Sequence, residues 1–206
     1  MNKSTRTGVL VIALIIFIAA AAYYLFTTTT NDKNDTGVAE GHHLERVENE
    51  EVAFGFGYES GPQGLALFEP EVSGEPLKAA YILMPVEDYV LVHNNQAEES
   101  PATISMFVFT KPEQPEGSDL SRLEEVRQWA DENQELTSID QAQAEPEIVD
   151  IDGVKALKYT TAGTFNQEIY VASYNKNIYL LVGQYENESD KIKQDYERVI
   201  SEIVFQ

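Results

Sequence analysis

Apolar and polar positions are unevenly distributed along the chain and divide it into three stretches. Gly8 to Phe26 is a run of 19 residues without a charge. As a helix rising about 1.5 Å per residue it spans roughly 28 Å, close to the thickness of a bilayer core. Thr27 to about Glu50 is polar and has no apolar period: four threonines, Asn31-Asp32-Lys33-Asn34-Asp35, then a charged stretch. That pattern predicts a flexible tether over residues 27–50, with a mean reach of about 25–30 Å if it behaves as a coil. Residues 51–206 carry the periodic signals of a folded domain.

Strand patterns dominate that domain. Val52–Tyr58 is short and aromatic, and Leu77–Met84 and Tyr89–His93 are candidate strands on either side of Pro85. In Ala102–Phe109, Ile104, Met106 and Val108 share one face and Phe107 and Phe109 the other. Gly117-Ser118-Asp119 predicts a helix start, after which Leu120, Leu123, Val126, Trp129 and Ala130 recur at helical spacing; Ser121 and Glu124 have capping-box spacing one turn in. Gln134–Glu147 is polar and Gln-rich, the pattern of a loop. Ile148–Ile151 and Val154–Thr161 flank Asp152-Gly153, a strong two-residue hairpin signal. Glu168–Tyr174 and Ile178–Tyr185 flank Asn175-Lys176-Asn177. From Asp190, Ile192, Tyr196, Val199 and Ile200 fall on one helical face.

Consecutive hairpins predict an antiparallel sheet. Ile104–Phe109 and Ile178–Val182 are apolar on both faces, which predicts central strands covered on both sides. The expected class is α+β, an antiparallel sheet flanked by helices, or by a helix and loops, and preceded by one N-terminal transmembrane helix.

Charge sets the sidedness. Lys3 and Arg6 precede the apolar run and no acid does, so residues 1–7 are expected in the cytoplasm and the domain outside. A signal peptide cleaved after the small residues Ala20 and Ala22 is a competing reading, although Tyr-Tyr-Leu-Phe then lengthens the core beyond the usual signal length. A pilin-like segment would carry an acid early in the run, and none is present. The chain holds 35 Asp and Glu against 14 Lys and Arg, a net charge of −21. Such a field repels phosphate backbones and anionic head groups, so nucleic acid is excluded as an expected partner and a basic protein surface is favoured. Solubility or a salty medium accounts for the same charge. The absence of cysteine removes disulfides, thiolate nucleophiles, cysteine zinc sites and the lipid-attachment cysteine of a lipoprotein.

Four groups of residues in the domain resemble a known family. Phe54-Gly55-Phe56, Tyr58 and Gly61 look like the first strand of PsbP-like domains. Asp152-Gly153-Val154-Lys155-Ala156 resembles their central hairpin, and Tyr170-Val171-Ala172 with Asn177-Ile178-Tyr179-Leu180-Leu181 their late hairpin. Ile200-Ser201 and Ile203-Val204-Phe205 resemble the closing helix and strand. The resemblance implies an α/β/α sandwich with an antiparallel sheet. The family includes an extrinsic subunit of photosystem II and membrane-anchored bacterial proteins of unassigned role, which implies binding or assistance rather than catalysis.

Candidate chemistry is sparse. His42, His43 and His93 are the only histidines; with nearby acids they suit zinc, but no His-Glu-x-x-His spacing exists, and exposed polar residues explain them better. Asp150 and Asp152 begin like a calcium loop, but Val-Lys-Ala-Leu-Lys follows where oxygen ligands are needed, so a hairpin turn is the expectation, with only weak, salt-sensitive binding of calcium or magnesium. Gly55-x-Gly57 lacks the third glycine of a dinucleotide loop and predicts a strand irregularity. Tyr170, Tyr174, Tyr179 and Tyr185 suit either a stacking surface or cross-strand packing. No Walker loop and no Gly-x-Ser-x-Gly elbow occurs. No catalytic, metal or cofactor residue is therefore assigned. The leading expectation is a non-catalytic binding or accessory domain held outside the membrane through residues 8–26. A structural component of an envelope assembly and a carboxylate-dependent hydrolase are the alternatives.

Overall fold

A computed structural model describes residues 43–97, 99–113 and 121–206. The apolar run 8–26, residues 27–42 of the tether, His42, and the helix start expected at 117–119 lie outside the described residues. Among the described residues no helix is long and apolar enough to cross a membrane.

The chain order is β1 (His43–Asn49), β2 (Phe54–Ser60), β3 (Leu65–Phe68), β4 (Leu77–Pro85), α1 (Val86–His93), β5 (Ile104–Thr110), α2 (Arg122–Glu132), α3 (Gln134–Thr137), a 3-10 turn (Ile139–Gln141), β6 (Glu147–Ile151), β7 (Val154–Ala162), β8 (Asn166–Tyr174), β9 (Asn177–Tyr185), α4 (Lys191–Ser201) and β10 (Val204–Phe205). Seven strands form one antiparallel sheet in the order β3-β4-β5-β9-β8-β7-β6. β5 and β9, the strands apolar on both faces, sit at its middle. A second sheet, β1-β2-β10, is also antiparallel. The class is α+β, as expected.

The two faces of the large sheet are covered differently. On one face, Ile104, Met106, Val108, Tyr179, Leu181 and Tyr170 meet Phe54 and Phe56 of β2, Phe205 of β10, and Ile192, Tyr196 and Val199 of α4. This cover is a helix plus a three-stranded sheet, where helices or loops alone were expected. On the other face lies α2, whose Val126, Trp129 and Ala130 are buried. The Trp129 ring packs 5.3 Å from that of Phe109. Ser121 and Glu124 do form the capping box, and it stands at the N-terminus of the described helix.

Turn chemistry explains the hairpins. Asp152 (φ 48°) and Gly153 (φ 76°) both take the left-handed backbone that a two-residue hairpin needs. Asn175 (φ 52°) opens the tighter Asn175-Lys176 turn between β8 and β9.

Four segments differ from the sequence-based expectation. His43–Asn49, part of the expected tether, is a strand paired residue for residue with β2, so the folded domain begins at His43 or earlier. Its side chains are mostly exposed, so an edge strand held by backbone pairing leaves no apolar period to detect. Tyr89–His93 belongs to a helix, not a strand. Pro85 precedes its first residue, Glu87 and Asp88 complement the positive end, and Tyr89 stacks on His93 one turn later at 5.9 Å. The expected loop 134–147 contains a helical turn and a 3-10 turn. Buried Thr137 fixes it: its hydroxyl donates to the Ala130 carbonyl, and its own carbonyl accepts from the Tyr159 hydroxyl at 2.8 Å. Gly55 and Gly57 lie in a regular strand rather than an irregular one. A Cβ at Gly55 would come 2.9 Å from the Val47 carbonyl oxygen, and one at Gly57 would crowd the Glu202 side chain.

Candidate functional site

The acids of the Asp150–Asp152 turn are occupied by the protein itself. Asp150 accepts from the Gly153 N–H at 2.8 Å and from Lys155 at 3.0 Å, and these two partners hold its carboxyl below the usual range. Asp152 accepts from the Phe205 N–H at 2.8 Å and so ties the β6–β7 turn to the closing strand. His43 is exposed at the start of β1, and His93 ends α1. Among the described residues no group of three His, Asp or Glu side chains is placed to hold a metal. Tyr170, Tyr174, Tyr179 and Tyr185 all project from the same face of the large sheet, but into the core. Tyr179 is fully buried against Phe54 and Phe205, with ring centroids at 5.3 and 5.0 Å, and Tyr170 meets Tyr196 edge-on at 6.0 Å. They are packing residues, not a ligand platform.

Two constellations that the sequence did not reveal stand out. The first is a buried ion network between β8 and α4. Glu168 accepts from Lys193 and Lys158, each at 3.1 Å, and from the Tyr170 hydroxyl at 3.0 Å. The Glu168 side chain is 7% exposed and that of Lys193 3%. Burial pushes the Glu168 carboxyl up, but the two lysines outweigh it and hold it below its ordinary value. Burial likewise works against a charged Lys193, and the bonds to Glu197 and Glu168 reverse that shift and raise it. Lys193 also lies 5.3 Å from the Tyr185 ring centre, and Lys158 5.4 Å from that of Tyr170. Beside the network the Tyr196 ring of α4 packs on Gly183, where any Cβ would overlap it, and meets the Tyr170 ring edge-on. Every charge here has its counter-charge, so the arrangement pins α4 to the sheet.

The second is a cleft of about 750 Å³ between α1, residues 96–97 and 99–102, and the start of α4. Its floor is apolar: Pro85, Leu91, Pro101, Ala102, Phe165 and Ile192. Its rim is acidic: Asp88, Glu99, Glu186 and Asp190. A smaller recess of about 310 Å³, reaching Pro62, Gln63 and Val86, shares Pro85, Lys191 and Ile192 with it. Among the described lining residues Lys191 is the one cation, and its ammonium is held by Asp195 at 2.6 and 2.8 Å. Asp190 accepts from the Glu186 and Asn187 N–H groups and fixes the approach to α4. Asp88, Glu99 and Glu186 form no ion pair with any described residue. Burial, and then the neighbouring Glu87, push the Asp88 carboxyl above its ordinary value. Glu168 and the cleft acids are legible only once the register of β8 and the helical state of 86–93 are known.

No protein-family model matches the chain, and no curated protein does. Among solved structures, the solution structure of cyanobacterial PsbP from Synechocystis aligns over 85% of this chain and 98% of its own, at 16% identity and a TM-score of 0.48. The chain is similar to cyanobacterial PsbP. A crystal structure from Bacteroides thetaiotaomicron aligns over 78% of this chain at 11% identity and a TM-score of 0.44, and this chain spans about half its length, 48%.

Proposed function

We propose that the chain is a binding or accessory domain, held on the outer face of a membrane by residues 8–26, that acts by docking a partner rather than by chemistry of its own. The observation that carries this reading is the cleft beside α1, with an apolar floor and an acidic rim on which Asp88, Glu99 and Glu186 form no ion pair with any described residue. The uncharged run of 19 residues, with cations before it and acids after it, supports the placement. The motif resemblance to PsbP-like domains supports an accessory role.

The placement is tested with the full chain in its own membranes. Protease added to spheroplasts should digest the domain, and an alkaline wash should leave the undigested chain in the membrane. A domain protected from external protease would refute the orientation, and a mature N-terminus near Tyr23 would refute the anchor. For the accessory role, a chain deleted for the loop residues 96–102 should stay in the membrane and lose the function that deletion of the whole gene removes. Retention of that function would count against the cleft.

A further inference from the structure

Resting on that reading, we propose that the cleft docks a basic, amphipathic segment of a partner protein, with apolar side chains on the floor and Lys or Arg against the rim. Three observations carry it. The first is α1 itself. Val86, Tyr89, Val90, Leu91 and Val92 make most of its eight residues apolar, yet none is buried. Val90 is 48% exposed and Leu91 42%, and Leu91 lines the cleft. Apolar surface left on a helix beside a cleft is stabilised when a partner covers it.

The second is the charge of the rim. Asp88, Glu99 and Glu186 point no ion pair back into the described protein, and the lining cation Lys191 is engaged by Asp195. The elevated pKa of Asp88 agrees with a carboxylate that lacks a cation. A lysine or arginine arriving from outside would supply it. The third is shape. The cleft and the smaller recess share three lining residues, so the space runs on past Pro85 toward Pro62 and suits an extended segment rather than one compact small molecule.

The same charge discriminates among occupants. A second copy of this chain brings its own −21, anionic lipid and nucleic acid bring phosphate, and all three are repelled. A free divalent cation would need several oxygens converging on one point, and no such group stands among the described residues.

The test uses the purified full chain in zwitterionic nanodiscs, with empty nanodiscs subtracted. The probe is a fluorescent twelve-residue peptide of lysine and leucine; lysine–serine and glutamate–leucine peptides are the comparisons. The lysine–leucine peptide should bind saturably. The combination Asp88→Asn, Glu99→Gln and Glu186→Gln should weaken it about tenfold, as expected for three partly exposed pairs. Leu91→Ser should weaken it separately without changing the thermal melt. A remote combination removing the same charge, Glu48→Gln, Glu135→Gln and Glu147→Gln, should stay within about twofold, since distant charges are screened. A photoreactive leucine in the peptide should attach to residues 85–102 or 186–192, a readout that stands even if a variant misfolds. Equal loss from the remote combination, equal binding of the lysine–serine peptide, attachment elsewhere, or no saturable binding would each overturn the proposal. Because the titration is read on purified chain, a chain found away from the membrane would sink the placement proposed above and leave this result intact.

Discussion

Glu168 and Asp88 are both carboxylates that burial drives toward the neutral form, and they end in opposite states. Around Glu168 the fold supplies two lysines and a tyrosine hydroxyl, and the charge is stabilised. Around Asp88 it supplies Glu87, and the charge is penalised. A chain with so few cations has placed them selectively. Lys193 ties α4 to the sheet through Glu168, and Lys158 shares that carboxylate from β7, whereas the cleft receives Lys191 already matched to Asp195. The difference separates carboxylates that the fold uses from carboxylates that it leaves for something else.

The contrast can be broken most strongly at Glu168. Glu168→Gln leaves Lys193 and Lys158 facing each other across a neutral group and should cost about 3–5 kcal/mol in denaturant unfolding. Adding Lys193→Met should recover much of it; no recovery would show that the network is not the coupled unit described. The wild-type pH dependence follows the same logic. A carboxyl held low stabilises fully above its ordinary value of 4.5 and loses that contribution as pH falls through its lower folded value. Lys193 is held high, so its share is complete below 10.5 and is lost only as pH rises through its raised value. Next in size is Gly183→Ala, which drives a methyl into the Tyr196 ring and should cost about 1–3 kcal/mol by the same measurement. A neutral outcome would mean that α4 can slide on the sheet. Asp152→Gly keeps the left-handed turn but frees the Phe205 N–H, and a loss of about 1–2 kcal/mol is expected. The smallest effect belongs to the cleft. Asp88→Asn should change stability by no more than about 0.5 kcal/mol at pH 7, with a stabilising sign. The penalty on Asp88 exists only while it is charged, so the gap between variant and wild type should close as pH falls through its raised folded value. A destabilised Asp88→Asn would place Asp88 with Glu168 and erase the distinction.

The central strands and hairpins of this fold were legible because both obey local rules. Double-sided apolar runs mark β5 and β9, and Asp152-Gly153 dictates its turn whatever surrounds it. What sequence alone missed depends on partners far along the chain. β1 is polar because pairing with β2 does not require its side chains. Val90, Leu91 and Val92 look like strand residues, and only Pro85 and the two acids after Val86 tip the segment to helix. Glu168 and Lys193 carry no spacing signal, because one comes from a strand and the other from a helix.

The closing strand has a bearing on the order in which the domain can be made. Phe54 is synthesised early, yet its neighbours in the small sheet include Val204 and Phe205, and the Phe205 ring packs on Phe54, Tyr174 and Tyr179. Until Val204 and Phe205 are free to pair, those aromatics lack the Phe205 ring and β2 has one partner strand instead of two. Long-range pairing of this kind delays closure until the Val204–Phe205 segment is available. A released chain truncated before Val204 should therefore carry a sticky aromatic face that holdase chaperones recognise, and a chain extended through Phe205 should hide it.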